Sequence, residues 1–178
     1  MFFSHLKSYV HFSLINARCG HRVAALSRVG RVNFRRMRDA RQILEEATTI
    51  AVVGASRDRF KTAHSVPAQI QRHGWRIIPV NPYADEIFGE RVYRSLADIP
   101  EPVDLVNVFR PSADATQVVR EAIAIGAPAV WLQLDIVSPE GRRLATAAGI
   151  DYVEDECIAV VRALAGLSRR RINESRTP

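Results

Sequence analysis

The stretch Thr49-Ile-Ala-Val-Val-Gly-Ala-Ser56 decides the fold of this 178-residue chain. Its apolar residues 50–53 form a short run that is typical of a buried strand, and three small residues end that run abruptly. A pattern that favours a helix begins soon afterwards, near residue 64. A parallel strand that turns through small residues into a helix leaves backbone N–H groups free to bind a phosphate. The stretch therefore predicts an α/β fold with an anion-binding turn.

Apolar runs and helical periods alternate along the rest of the chain from residue 39 onward. Strands are predicted at 50–53, 75–80, 103–109, 129–132 and 151–153, with a shorter one at 90–93. Helices are predicted at about 39–47, 64–73, 112–125, 138–148 and 157–164, with a single helical turn at 95–99. Because strands alternate with helices through short loops, we expect a Rossmann-like three-layer fold with a mostly parallel sheet of about five strands.

Two of these helices carry a more specific expectation about how they begin. Proline is tolerated in the first turn of a helix, where its missing N–H costs nothing, so Pro67 is expected in the first turn of the helix at 64–73. Ser112 is expected to be the N-cap of the helix that ends at Gly126, because a serine hydroxyl accepts a hydrogen bond from the free amides of the first turn.

The net charge of +6 is concentrated at the N-terminus. Residues 1–38 contain eight Lys or Arg and no Asp or Glu, so the remaining residues hold 17 basic and 19 acidic side chains. The predicted organisation is a basic extension over 1–38, one Rossmann-like domain over 39–167 and a flexible polar tail over 168–178. The nearly neutral domain gives no general reason to expect nucleic-acid binding.

Several interpretations of residues 1–38 stay open. An Arg-rich, acid-free composition is typical of a transit peptide, and the same charge would suit an arm that binds nucleic acid. A secretory signal is excluded because the apolar run 10–15 is short and contains His11 and Ser13. The alternative is that Met37 is the true start, or that the upstream residues form a disordered extension.

The composition also argues against a membrane segment and a structural metal. No apolar run approaches the ~20 residues that a helix needs to cross a bilayer. Cys19 and Cys157 lie far apart, and the chain has no Cys-x-x-Cys pair and no Cys/His cluster with the spacing of metal ligands. These features favour a cytoplasmic protein in a reducing compartment.

The turn after the first strand departs from the two common nucleotide-binding motifs. In the dinucleotide motif G-x-G-x-x-G, the second and third glycines are replaced here by Ser56 and Arg59. The second strand ends at Asn81, which lacks the carboxylate that binds ribose hydroxyls. No G-K-[ST] sequence follows Gly54, so a P-loop is also excluded.

Polar side chains follow four of the predicted parallel strands. They are Ser56, Asn81, Arg110 and Gln133, and Arg57, Arg59 and Lys61 add positive charge beside the first of them. The carboxyl ends of parallel strands form the ligand crevice of an open α/β sheet. We therefore expect Ser56, Asn81, Arg110 and Gln133 to converge on one site for an anionic, nucleotide-like ligand. The three loop cations are typical of solvated charges, and one of them is expected to contact a phosphate. Gln133 has the alternative role of satisfying neighbouring backbone groups.

Five motifs occur in a characteristic order along the chain. They are Ile50-Ala-Val-Val-Gly-Ala-Ser56, Ile77-Ile-Pro-Val-Asn-Pro82, Val103-Asp-Leu-Val-Asn-Val-Phe-Arg-Pro111, Ala129-Val-Trp-Leu-Gln-Leu134 and Asp155-Glu-Cys157. Together they resemble the small stand-alone CoA-binding proteins of bacteria, which are similar to the N-terminal domain of the succinyl-CoA synthetase α subunit. The resemblance covers about residues 39–166 and implies a Rossmann-like fold that binds coenzyme A.

The resemblance also implies roles for individual positions. Gly54, Ala55 and Ser56 would cradle phosphate, Asn81 and Pro82 would border the adenosine, and Phe109 with Arg110 would meet the pyrophosphate or the pantetheine. The chain departs from the family pattern at Asp135, where the family tends to have Gly, and at Glu156, where it tends to have Arg.

No catalytic constellation is predicted. Cys157 follows three acidic residues, which disfavour a thiolate, so an inert cysteine is favoured over a nucleophile. A mixed disulfide between Cys157 and the CoA thiol stays open as an alternative. His64 lies near the first turn but has no evident acidic partner in the sequence.

We therefore expect non-catalytic binding of coenzyme A or acyl-CoA, with a regulatory or carrier role. For the domain we expect no metal, no membrane contact and no nucleic acid, and the sequence predicts no particular protein partner. The alternatives are a subunit or relic of an acyl-CoA ligase, an NAD(P)-dependent oxidoreductase, and a nucleic-acid-associated protein that uses the basic N-terminus.

Overall fold

The computed structural model describes residues 37–169, so nearly all of the predicted N-terminal extension and most of the predicted tail lie outside the described residues. The strands are β1 (Thr49–Val53), β2 (Arg76–Val80), β3 (Glu86–Ile87), β4 (Glu90–Arg91), β5 (Leu105–Val108), β6 (Ala129–Leu132) and β7 (Asp151–Val153). The helices are α1 (Ala40–Glu46), α2 (Thr62–Arg72), α3 (Ser112–Ala124), α4 (Pro139–Ala148) and α5 (Ile158–Leu164), with a 3₁₀ turn at Leu96–Asp98.

Five of the strands form one parallel sheet in the order β2-β1-β5-β6-β7. Side chains alternate across it, so that Ile50 and Val52 pack into one apolar cluster with α1, α2 and α5. Ala51 and Val53 pack into the other cluster, with α3 and α4. The predicted Rossmann-like three-layer fold is confirmed.

Pro67 lies farther into its helix than predicted. The helix α2 begins at Thr62, which places Pro67 beyond the first turn, so that prediction was wrong. In a regular helix the amide at position 67 would donate to the carbonyl of Ala63, four residues earlier. Here the Ala63 carbonyl accepts a hydrogen bond from the Ser56 amide, at 3.1 Å. The proline is tolerated because that carbonyl has another donor.

Ser112 is not the N-cap of α3, which was also predicted wrongly. The cap residue is Pro111, and no side chain caps this helix. The Ser112 hydroxyl instead accepts a hydrogen bond from the backbone amide of Val137, at 3.1 Å. A partner from the loop after β6, distant in sequence, has therefore replaced the local interaction that the sequence favoured.

A two-stranded antiparallel hairpin, β3–β4, follows β2 and was predicted in part, as a single strand at 90–93. Its tight turn places Phe88 at a φ of 62°, a left-handed conformation that is rare for a bulky residue. Two contacts with α2 hold it there. The Gln71 side-chain amide donates to the Phe88 carbonyl at 3.3 Å, and the His64 and Phe88 rings lie 4.9 Å apart.

Candidate functional site

The strand order reverses between β1 and β5, which lie side by side although β2 follows β1 in the chain. In open α/β sheets, ligands bind outside the carboxyl ends of the strands at such a switch point. Val53, the last residue of β1, pairs with Val80 of β2 and Val108 of β5. The turn after β1 therefore lies level with the segments that follow β2 and β5.

Gly54 lets the turn after β1 approach the segment after β5. Its φ is +87°, and a Cβ at this position would lie 2.8 Å from the carbonyl oxygen of Phe109 and 3.1 Å from Cδ of Arg110. Side chains rarely adopt that conformation, and backbone atoms cannot shift cheaply, so the position requires glycine. Next to it, the amide of the fully buried Ala55 has no hydrogen-bond acceptor among residues 37–169. That N–H is available to an anion at the floor of the crevice.

The loop 56–61 is closed by its own hydrogen bonds. The Ser56 hydroxyl accepts from the amide of Asp58 at 3.1 Å, and the Asp58 carboxylate accepts from the amide of Phe60 at 3.0 Å. The Lys61 amide then donates to the Asp58 carbonyl at 3.1 Å. These short-range bonds resemble Asx and ST turns, and they fix the loop without using any cationic side chain.

His64 holds the loop 56–61 in place through its imidazole ring. Its Nδ1 lies 2.6 Å from the carbonyl oxygen of Ser56, and its ring contacts Phe88 on the other side. His64 therefore bridges the loop 56–61 and the β3–β4 hairpin. Its role in the described structure is that of a support.

Asn81 ties the second loop of the crevice to the first. Its Nδ2 donates to the carbonyl of Ala55 at 2.8 Å. Its Oδ1 accepts from the amides of Tyr83 at 2.7 Å and Ala84 at 3.1 Å. Because both ends of the amide are occupied, Asn81 shapes the crevice and leaves ligand contact to its exposed neighbours Pro82 and Tyr83.

Arg94 braces the same second loop from outside. Its guanidinium donates to the carbonyls of Ala84 and Asn81 and forms an ion pair with Asp85 at 2.5 Å. A planar group with several fixed donors suits this role, because it binds two carbonyls and a carboxylate at once.

Arg110 stands on the opposite wall, after β5. Its guanidinium forms an ion pair with Asp114 at 2.8 Å, four residues along α3, and both side chains are about half exposed. Exposed pairs of this kind contribute little free energy, so the guanidinium can reorient toward a ligand at low cost.

Gln133 ends β6 and is almost fully buried. Its side-chain amide donates to the Asn107 side chain of β5 at 2.9 Å. The predicted alternative was a contact to neighbouring backbone groups, but the observed partner is another side chain, and the buried pair joins two strands.

The loops after β6 and β7 are fastened together. The Asp155 carboxylate accepts from the amide of Asp135 at 2.8 Å, and both residues have positive φ, at 59° and 66°. Asp tolerates this left-handed conformation better than most residues. The position where the family tends to have Gly is therefore one that needs left-handed backbone, and Asp135 supplies it.

An acidic group supports these loops. Burial alone would raise the pKa of Glu154, but hydrogen bonds from the Ser138 amide, the Arg142 guanidinium and the Tyr152 hydroxyl outweigh burial and lower that pKa. Burial is the main cause that raises the pKa of Tyr152, and its hydrogen bond to Glu154 adds to the effect. Glu154 therefore stays ionised at neutral pH as a fixed acceptor.

The crevice consists of adjoining recesses that meet at Phe109. The first, here called the outer cleft, has a volume of about 450 Å³ and is lined by Gly54, Ala55, Ser56, Arg57, Asp58, Lys61, Ala63, Asn81, Tyr83 and Phe109. The second, called the apolar cleft, has a volume of about 360 Å³ and is lined by Thr62, Ala63, Val66, Phe109, Arg110, Pro111, Gln133, Leu134, Asp135, Ile136 and Cys157. Pro82 and Arg110 line a third recess, which shares Gly54, Asn81, Tyr83 and Phe109 with the outer cleft.

All ten residues predicted for the site line one of these recesses. The prediction missed Tyr83, which is 86% exposed and reaches the outer cleft. An aromatic residue two positions after Asn81 was the available signal. It also missed the apolar wall formed by Val66, Leu134 and Ile136. Val66 belongs to the face of α2 that packs against the core, and isolated apolar residues in a loop, such as Leu134 and Ile136, carry no distinctive pattern.

The described residues were also compared with the needs of a metal site and of a membrane span. No group of three His, Cys, Asp or Glu side chains within 37–169 is placed to hold a metal ion. Cys157 is a free thiol at the N-cap of α5 and lines the apolar cleft. No helix in the same part of the chain is long and apolar enough to cross a membrane.

Comparison with known proteins gives relatives of two kinds. An uncharacterised Bacillus subtilis protein, YneT, is 37% identical over 126 residues, which are 71% of this chain and 93% of YneT. A solved structure from Thermus thermophilus is 40% identical, covers 70% of this chain and 95% of its own, and has a TM-score of 0.67. An ADP-forming acetate–CoA ligase of Archaeoglobus fulgidus is 31% identical over 97 residues, which are 53% of this chain but 14% of the ligase.

The match to a known family spans most of the domain. The family described as CoA binding domain matches residues 48–163, from the start of β1 into α5. The match includes the turn after β1, the loop after β2 and both walls of the crevice. The chain therefore belongs to the CoA-binding domain family.

Proposed function

We propose that this protein binds coenzyme A or an acyl-CoA in the crevice at the switch point, without catalysing a reaction itself. The proposal rests on one observation: a polar recess and an apolar recess meet at Phe109. The outer cleft offers a free amide, a hydroxyl and cations, whereas the apolar cleft is lined mainly by apolar residues. A ligand with a polyanionic nucleotide end and a long, less polar arm fits this combination.

The parts of coenzyme A can be assigned to the crevice in order. The diphosphate would lie on the turn 54–56, where the Ala55 amide is free, and the adenine would lie against Tyr83. Pantetheine would pass Phe109 into the apolar cleft, where its thiol end approaches Cys157. Stacking on an exposed aromatic ring favours a planar base.

The arrangement of side chains supports a binding role over catalysis. The one histidine at the crevice, His64, is engaged with the Ser56 carbonyl, and Cys157 follows three acidic residues. Covalent catalysis requires a nucleophile within hydrogen-bond distance of a base. No such pair lines either cleft, so a regulatory or carrier role is proposed.

Titration calorimetry with coenzyme A and with NAD⁺ tests this proposal. We expect saturable binding of coenzyme A and much weaker binding of NAD⁺, because Asn81 replaces the carboxylate that binds ribose hydroxyls. Tyr83→Ala should weaken coenzyme A binding, and Phe60→Ala serves as a matched control, since Phe60 is an exposed aromatic residue that does not line the clefts. Binding of NAD⁺ without coenzyme A would overturn the proposal.

A second candidate is a CoA-binding subunit that works with a separate catalytic chain. The similarity to the acetate–CoA ligase of Archaeoglobus fulgidus favours it, because this chain matches a small part of that enzyme. Purification of the protein from its native source would test this candidate. A larger chain that copurifies in fixed ratio and supports acyl-CoA formation would favour the subunit over the carrier.

A further inference from the structure

Arg57 and Lys61 are cations without an acidic partner in the described part of the chain. Both are exposed and line the outer cleft. Most arginines of the domain behave differently and form ion pairs: Arg38, Arg41, Arg76, Arg94, Arg110, Arg120, Arg142 and Arg143. The loop 56–61 thus leaves its three cations, Arg57, Arg59 and Lys61, without an ion pair among the described residues, while its own hydrogen bonds hold its shape. Two of the three, Arg57 and Lys61, line the outer cleft.

These two cations share the outer cleft with the turn 54–56 but lie apart from Arg110, the other cation expected to bind a phosphate. The free amide of Ala55 lies at the buried floor, and Arg110 lines the apolar cleft and the third recess. Arg57 and Lys61 line the outer cleft and neither of the other recesses. The crevice therefore offers positive charge at two places, from Arg57 and Lys61 in the outer cleft and from Arg110 in the other two recesses.

A carboxylate in the same loop limits which anion can bind there. Asp58 also lines the outer cleft, but one of its oxygens already accepts the Phe60 amide. The negative charge of Asp58 repels anions, so an anion with a single charge binds weakly here. A group with more than one negative charge is attracted more strongly by the two cations. A phosphate monoester carries a charge of about −1.5 to −2 at pH 7, whereas each phosphate of a diphosphate diester carries about −1.

We infer that Arg57 and Lys61 bind the phosphate monoester on the ribose of coenzyme A, so that the protein distinguishes coenzyme A from dephospho-CoA. This inference rests on the proposed function and adds a specificity to it. Arg57 can present two parallel N–H donors to the phosphate, and Lys61 adds a compact point charge. The charges stand on a loop with a fixed backbone, which lowers the entropy lost on binding.

Calorimetry of the full chain with coenzyme A and dephospho-CoA tests the inference. Wild-type protein should bind coenzyme A about tenfold or more tightly than dephospho-CoA. The variants Arg57→Gln and Lys61→Gln should bind coenzyme A more weakly, with an affinity close to that for dephospho-CoA. Their affinity for dephospho-CoA should equal that of the wild type. Arg59→Gln is the matched control, because Arg59 is an exposed cation of the same loop that does not line the cleft.

The pH dependence gives a second readout. The second pKa of a phosphate monoester is about 6. The preference for coenzyme A over dephospho-CoA should therefore shrink between pH 7.5 and pH 5.5, since the monoester loses most of its second charge, while the charges of Arg57 and Lys61 do not change.

Each alternative result has a definite meaning. Equal affinities of wild-type protein for the two ligands would overturn the inference and leave the proposed function standing. Failure to bind either ligand would overturn the proposed function. If Arg57→Gln and Lys61→Gln weaken the binding of both ligands equally, the cations bind the diphosphate, and the inference is wrong. An effect of Arg59→Gln as large as the others would indicate long-range attraction in place of a direct contact and would also overturn it.

Discussion

Arg110 has a fixed backbone position, but its guanidinium can exchange its present partner for a ligand. It lies directly after β5, and its aliphatic stem lies close to Gly54, where a side chain could not fit. Its charge is matched by Asp114, and both groups are about half exposed. Water screens such a pair, so the net free energy of the ion pair is small. A bound anion can therefore recruit Arg110.

Arg110→Ala should weaken coenzyme A binding by about 1–3 kcal/mol, the range for a charge-assisted hydrogen bond. Asp114→Ala is the matched variant, since it removes the competing carboxylate and leaves the guanidinium free. Its affinity should equal or exceed that of the wild type. Calorimetry measures both effects, and an unchanged affinity in Arg110→Ala would remove this residue from the site.

At the scale of elements, Pro67 couples α2 to the crevice. The proline lacks the N–H that would bind the Ala63 carbonyl within the helix, and that carbonyl accepts the Ser56 amide at 3.1 Å instead. The loop 56–61 is thereby attached to the helix that follows it. Asn81 makes the corresponding attachment between the loops after β1 and β2.

Pro67→Ala should weaken coenzyme A binding without unfolding the protein. The new amide at position 67 would compete with Ser56 for the Ala63 carbonyl, because alanine favours the regular helical hydrogen bond. We expect a Tm equal to or above that of the wild type together with lower affinity, measured by thermal unfolding and calorimetry. Gln69→Ala, on the same helix, controls for a general change in α2, and unaltered affinity in Pro67→Ala would show that Ser56 keeps its place.

At the scale of the whole molecule, contacts between distant segments close the fold around the last strand. Arg38, before α1, forms an ion pair with the buried Asp151 of β7 at 2.6 Å. Arg169, after α5, donates to the carbonyls of Glu45 and Glu46 at the end of α1. Glu154, directly after β7, binds the first turn of α4. The edge of the sheet therefore depends on ionised groups.

The lowered pKa of Glu154 should make the fold sensitive to acid. Because the folded-state pKa lies below the ordinary value of 4.5, Glu154 stabilises the fold fully above that pH, and the contribution is lost as pH falls through the folded-state pKa. Glu154→Gln should lower the free energy of unfolding by about 1–3 kcal/mol at pH 7. Urea unfolding should show a smaller difference between variant and wild type at pH 3, and a difference that does not change with pH would contradict this explanation.

Much of the architecture could be predicted from local patterns. The five parallel strands and five helices begin and end near their predicted positions, because apolar periodicity and residues such as Gly126 and Gly149 act over short distances. The roles of Pro67 and Ser112 were predicted wrongly because they depend on contacts between separate segments of the chain. Each depends on a partner from another segment, Ser56 in one case and Val137 in the other.

The sequence by itself determined the fold, the family and the edge of the sheet that holds the crevice, because the positions of strands, helices and small-residue turns follow from patterns of neighbouring residues along the chain. Only the tertiary structure decided how the polar groups of that edge are used. Asn81 and Gln133 bind other parts of the protein, whereas Arg57 and Lys61 stay without an acidic partner among the described residues. Hydrogen-bond partners depend on distances across the folded chain, and the linear sequence does not contain those distances.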